Sequence, residues 1–230
     1  MFRAGLFTGL VAIWVALHTV VFAASVDLGF SRSVTPGLIA RLERQFGTGT
    51  RARLEGWKDF VRDTARPEAT AHAAGEDRLL QPVNRFFNRL PTVTDLAHWG
   101  VEDYWATPAE SLASNGADCE DYAIAKYFTL KELGVPIARL RLVYVKTRRS
   151  GSAHMVLAYY PQPQGDPLIL DNLDGSIRPA SERPDLIPVY SFNDEDLLFS
   201  KEGAPAVRVS ATSNRKWREV LEKLERELTY

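Results

Sequence analysis

The sequence predicts an α+β fold: helices come first, an antiparallel sheet follows, and one central helix packs on that sheet. Two observations carry this. Each apolar stripe before residue 134 repeats at helical spacing, and from Leu140 the period drops to two. The apolar runs that follow are joined by a turn cluster short enough to force antiparallel neighbours.

The elements follow in chain order. Thr35-Pro36 reads as an N-cap with proline in the first turn, and Leu38, Ile39, Leu42 and Phe46 give a stripe ending at Gly47. Leu54, Trp57, Phe60 and Val61 mark a second helix. Leu79, Leu80, Val83, Phe86, Phe87 and Leu90 mark a third that stops at Pro91. Thr107-Pro108 opens a short helix that breaks at Asn115-Gly116. Asp118 is then a good N-cap with Asp121 three residues on in the manner of a capping box, and Ala123, Ile124, Tyr127, Phe128 and Leu130 form a broad apolar face closed by Gly134 and Pro136. Strands are expected from Leu140, over Ala153 to Tyr160, and over Leu168 to Leu173, the last two separated by Pro-Gln-Pro-Gln-Gly. From Asn214 to Tyr230, Trp217, Val220, Leu221, Leu224 and Leu228 share one face of a surface helix.

The chain has 230 residues, a formal charge of −1 and a pI near 6.4, so it offers no basic field for a nucleic acid. Arg3 precedes an apolar run from Ala4 to Ala24, and small residues at Val21 and Ala23 suit cleavage after Ala23. Residues 1–23 are thus expected to be a signal peptide, and 24–230 one domain sent across a membrane. The other reading of the run is an uncleaved anchor, because it is nearly long enough to span a bilayer.

Cys119 is the lone cysteine, so no internal disulfide forms and its thiol stays free. A single cysteine is as easily an inert core residue as a nucleophile. Its position in the first turn of a helix favours the nucleophile, because unpaired N–H groups there stabilise a thiolate and an oxyanion. Asp118, Glu120 and Asp121 work against it with negative charge, and a neighbouring cation would answer them. Of four histidines, His18 lies in the apolar leader, His72 in an alanine-rich stretch and His98 beside Trp99, whereas His154 begins an apolar strand. A hairpin centred between residues 162 and 163 sets Asp171 opposite His154, and a slip of two residues leaves them diagonal. An acid so placed fixes the imidazole tautomer. Asp174 is better explained by the Asn172-Leu173-Asp174-Gly175 turn. Trp99, Tyr104 and Trp105 read as core or rim aromatics, and Arg148-Arg149-Ser150 as a solvated hairpin tip.

The segments Asn115-Gly116-Ala117-Asp118-Cys119-Glu120-Asp121-Tyr122-Ala123, His154-Met155-Val156-Leu157-Ala158-Tyr159-Tyr160 and Leu170-Asp171-Asn172-Leu173 resemble the bacterial transglutaminase-like cysteine proteinases, closest to the LapG-type periplasmic enzymes. The likeness runs from about Val83 through Phe199. It implies a papain/transglutaminase-type fold, a triad of Cys119, His154 and Asp171, and calcium dependence with Asp118 and Glu120 as ligands. Asp121, backbone or water would complete the shell, since Ca²⁺ takes six to eight oxygens. Read without the resemblance, Asp118 and Glu120 are an N-cap and a first-turn partner of the helix dipole.

The resemblance also implies a substrate and a control. The substrate is the N-terminal region of a large biofilm adhesin, cut at a di-alanine site so that the adhesin is released. The control is an inner-membrane receptor for cyclic di-GMP that sequesters the protease. A transglutaminase that passes the acyl group to an amine, and a non-catalytic binding module, are the competing functions. A monomer is expected, since the helices leave no long exposed apolar stripe.

Overall fold

The computed structural model describes residues 34–65, 75–201 and 204–230; the apolar leader, His18 and His72 lie outside them. Helix α1 (Pro36–Phe46) starts where the Thr35 hydroxyl accepts from Leu38 N and ends at Gly47, whose φ of 80° suits glycine. Helices α2 (Thr50–Thr64), α3 (Asp77–Phe87), α4 (Asp95–Trp99) and α5 (Pro108–Ser114) follow. The capping box of α5 joins Thr107 and Glu110, and Asn115 turns the chain at a φ of 57°, a left-handed conformation that asparagine tolerates.

Helix α6 (Cys119–Glu132) is the spine of the molecule. The sequence suggested a broad apolar face. In fact every residue from Asp121 to Leu130 is buried, Lys126 and Thr129 included, because α3 and α5 cover one side and the sheet the other. The Trp57 indole donates to the Thr129 hydroxyl at 3.1 Å and ties α2 to this spine.

The sheet is antiparallel throughout. Its strands are β1 (Leu140–Thr147), β2 (Ala153–Tyr159), β3 (Leu168–Leu170), β4 (Arg178–Pro179), β5 (Leu186–Phe192), β6 (Asp196–Lys201) and β7 (Ala204–Ser210), in the spatial order β4-β3-β2-β1-β5-β6-β7. Strand β1 therefore has β2 on one side and β5 on the other. Strand β3 stops at Leu170, not Leu173, because the Asp171 carboxylate takes the Leu173 N–H at 2.9 Å and turns the chain. Leu157 pairs with Leu170 and Tyr159 with Leu168, two residues away from the centred hairpin, so Asp171 lies diagonal to His154.

Helix α7 (Arg215–Glu227) closes the fold, capped by the Asn214 side chain on Trp217 N. Trp217 is fully buried among Phe128, Phe192 and Tyr127, with ring centroids 5.3 to 5.6 Å away. Near the end of α7, Glu227 is buried and accepts from the Thr107 hydroxyl. Burial pushes its carboxyl up to about 8, against the pull of that hydroxyl. Between its ordinary value of 4.5 and about 8, the folded protein keeps a proton that the unfolded chain has released, so stability falls as pH rises through this window. Glu227→Gln is expected to flatten part of that fall, seen as a smaller loss of melting temperature from pH 5 to 9 than the unaltered protein shows.

Candidate active site

The nucleophile's helix is held at its start by several ties. Val93 N donates to Ala117 O and Ala117 N to Pro91 O, each at 3.1 Å, and the Tyr122 hydroxyl donates to Leu90 O at 2.6 Å. A Cβ at Gly116 would lie 2.9 Å from the His98 ring and from Val93, so only glycine lets the chain pass there. Asp121 reaches back to Asp118 N at 3.3 Å and across to Ala106 N at 2.7 Å. These ties fix Cys119 at the half-buried start of a buried helix.

His154 and Cys119 line one cavity of about 370 Å³. Met155 borders it between them, Trp105 forms one wall and the stacked Tyr144 and Tyr190 rings, 4.9 Å apart, another. Lys216, at the start of α7, stands on the rim in an ion pair with Asp103 at 3.1 Å. His154 is 4% exposed, and its Nε2 meets Asp171 Oδ1 at 2.8 Å. Burial pushes the Asp171 carboxyl up. Hydrogen bonds from His154, from Arg183 Nη2 to Oδ2 at 2.8 Å and from Leu173 N outweigh it and hold the group down at about 2. An ionised carboxylate only accepts, so Nε2 carries the proton and Nδ1 is the nitrogen left to act as a base.

Cys119 Sγ donates to Glu120 Oε2 at 3.0 Å. Burial pushes the thiol up, the Glu120 charge and hydrogen bond add to this, and the Met155 backbone N–H works the other way. Asp118 is pushed up to about 9, first by burial and then by the Asp121 and Glu120 charges, and Asp95 is raised mainly by burial. Such crowding of carboxylates is what a cation relieves.

Among the described residues, ligand oxygens of Asp95, Asp118 and Glu120 lie within 4.8 Å of one another, as one metal ion requires. Asp118 Oδ1 is buried with no hydrogen-bond partner. The donor set is all carboxylate, which suits a hard cation. Asp121, named from sequence beside Asp118 and Glu120, is not in this group of three; its oxygens accept from Ala106 N and Asp118 N. The third member of the group is Asp95. It sits in the first turn of α4 and accepts from Tyr104 N at 2.6 Å, and nothing in its linear surroundings singles it out.

The model of the family described as "Bacterial transglutaminase-like cysteine proteinase BTLCP" matches residues 58–185, a span that includes Cys119, His154 and Asp171. The chain belongs to this family. The proteinase is also similar to solved structures of LapG from Legionella pneumophila. The EGTA-treated form is 38% identical with a TM-score of 0.69, covering 81% of this chain and 95% of that one. The calcium-bound form is 39% identical with a TM-score of 0.65, over 81% and 97%. No curated protein sequence matches the proteinase.

His98 packs edge-on against Trp99 and stands apart from the His154 cavity lining. Trp99 also packs against Phe46 and Tyr104, as the rim reading of these aromatics requires. Arg183, which donates to Asp171, lies in a polar stretch with no periodic signal and is not singled out by the sequence.

Proposed function

We propose that the proteinase is a calcium-dependent periplasmic endopeptidase with the triad Cys119, His154 and Asp171. The observation that carries this is that His154, paired with buried Asp171, lines the same cavity as a thiol at the start of a helix. His154 Nδ1 takes the Cys119 proton, and the thiolate adds to the scissile carbonyl. Helical N–H groups at the start of α6 face the oxyanion that forms. The imidazolium returns its proton to the leaving amine, which departs as the carbonyl re-forms as a thioester. Water then gives a proton to Nδ1 and hydrolyses the thioester, and the proton ends on the thiol. Asp171 holds the Nε2–H throughout, so the ring cannot present the wrong tautomer.

Asp95, Asp118 and Glu120 would hold calcium, whose positive charge would counter the carboxylates beside the thiol. The similar LapG structure solved with calcium supports calcium as the metal. The remainder rests on the sequence resemblance: an adhesin substrate cut at a di-alanine site, biofilm dispersal, control by an inner-membrane cyclic-di-GMP receptor, and export directed by residues 1–23.

The test is cleavage of an N-terminal adhesin fragment bearing a di-alanine site, with calcium and with EGTA, by the unaltered protein and by Cys119→Ala. Cutting only by the unaltered protein with calcium is the expected result. Cutting by Cys119→Ala would remove the nucleophile assignment, and equal cutting in EGTA would remove the metal. Incorporation of a primary amine in place of hydrolysis would identify a transglutaminase.

A further inference from the structure

We propose that Arg183 is a positioning residue of this proteinase, acting through Asp171 to hold His154 in its working orientation. The inference rests on the triad reading above. Arg183 comes from the link between β4 and β5, just after a single 3₁₀ turn at Ala180–Glu182, and is 4% exposed. Its Nη2 donates to Asp171 Oδ2 at 2.8 Å, while Asp171 Oδ1 serves His154 Nε2 and Leu173 N. The two carboxylate oxygens thus have separate tasks: one faces the imidazole, and the other is anchored by a guanidinium.

Without that anchor, Oδ2 would be a buried charge with no partner, and the carboxylate could regain one only by rotating away from His154. Arg183 is itself clamped. Asp185 takes Nε at 3.0 Å and Nη2 at 2.8 Å, and Arg148 N donates to Asp185 O at 2.7 Å, which fastens this link to the β1–β2 hairpin tip. Lys126, a second buried cation within electrostatic reach of Asp171, is pushed down to about 7 by burial and cannot supply the same fixed charge. A guanidinium keeps its proton in any working pH. The link also has contacts that do not use the guanidinium, including Arg183 N to Ala180 O at 3.0 Å and Leu186 N to Arg183 O at 3.1 Å.

The test compares Arg183→Met, Arg183→Lys and Arg183→Ala with the unaltered protein, using the adhesin fragment in calcium. Arg183→Met is expected to lower kcat on the order of 10- to 100-fold, the scale on which outer partners of a working histidine act, with KM little changed. Arg183→Lys should recover part of the loss. Free guanidinium at millimolar concentration should raise the rate of Arg183→Ala, while sodium chloride at the same ionic strength should not. The downfield proton resonance of His154 Nε2–H should weaken in Arg183→Met.

Unchanged kcat in Arg183→Met would overturn the proposal, as would a His154 Nε2–H resonance of undiminished intensity or a loss that follows the melting temperature and ignores guanidinium. Full activity of His154→Ala would instead remove the triad reading on which the proposal stands. The two failures are therefore separable.

Discussion

Asp171→Asn is expected to lower kcat by about four orders of magnitude, the scale set by removing the acid from a nucleophile–histidine–acid triad. The reason lies in proton placement. An amide that turns its NH₂ toward Nε2 obliges that nitrogen to accept, which puts the ring proton on Nδ1 and leaves no base for the Cys119 thiol. The substituted residue also withdraws the negative partner from buried Arg183, although Asp185 keeps its hold on that guanidinium. Steady-state cleavage beside thermal unfolding separates the two effects, since the catalytic loss persists well below the melting temperature. A loss of only a few-fold would reject Asp171 as the acid. Asp174 is a poor replacement, because it is engaged with Arg178 and with Ser176 N at 2.9 Å.

Trp217→Ala is expected to cost about 3–5 kcal/mol of stability, the range for removing a large aromatic from a packed core. Trp217 has no exposed surface, and its ring stacks on Phe128 while meeting Phe192 and Tyr127 edgewise. Its indole N–H has no partner among the described residues, so the loss there is one of packing. Urea unfolding midpoints would measure it, and Trp217→Phe should retain most of the stability. A cost below about 1 kcal/mol, the level of a surface change, would show that α7 docks without this ring. Because Lys216 and Asn214 border the cleft from the same helix, loosening α7 also disturbs one side of the substrate cavity.

The parts legible in the sequence are those with strong local grammar. Thr35-Pro36, Thr107-Pro108 and Asp118 each mark a helix start that the structure has within a residue, because capping is decided by a few adjacent groups. The strands from Leu140 and Ala153 were equally legible. Strands β4 to β7 went unread. Pro188 interrupts β5 and sits where the pairing with β1 shifts between Tyr144 and Val145, and Pro179 ends a strand of two residues. Proline in a strand reads as a break unless a bulge or an edge accommodates it, and only the assembled sheet shows that one does. At the site, the likeness in Cys119, His154 and Asp171 was local and visible. Asp95 and Arg183 reach the site from distant segments through tertiary contacts, and no spacing rule joins them to it.

The sheet order carries a consequence for how the chain comes together. Strands β1 and β2 are joined by a tight turn, and pairing them closes a short loop; pairing β1 with β5 must close one of about 40 residues, at greater entropic cost. The seam between β1 and β5, already irregular at Tyr144 and Val145, is therefore the costly closure of the sheet. Opening along it would part Tyr144 from Tyr190 and unmake one wall of the cleft. The proposed triad of Cys119, His154 and Asp171 lies wholly on the β1 side of that seam, on α6, β2 and the turn after β3, so assembling it and closing the wall between Tyr144 and Tyr190 are separate events.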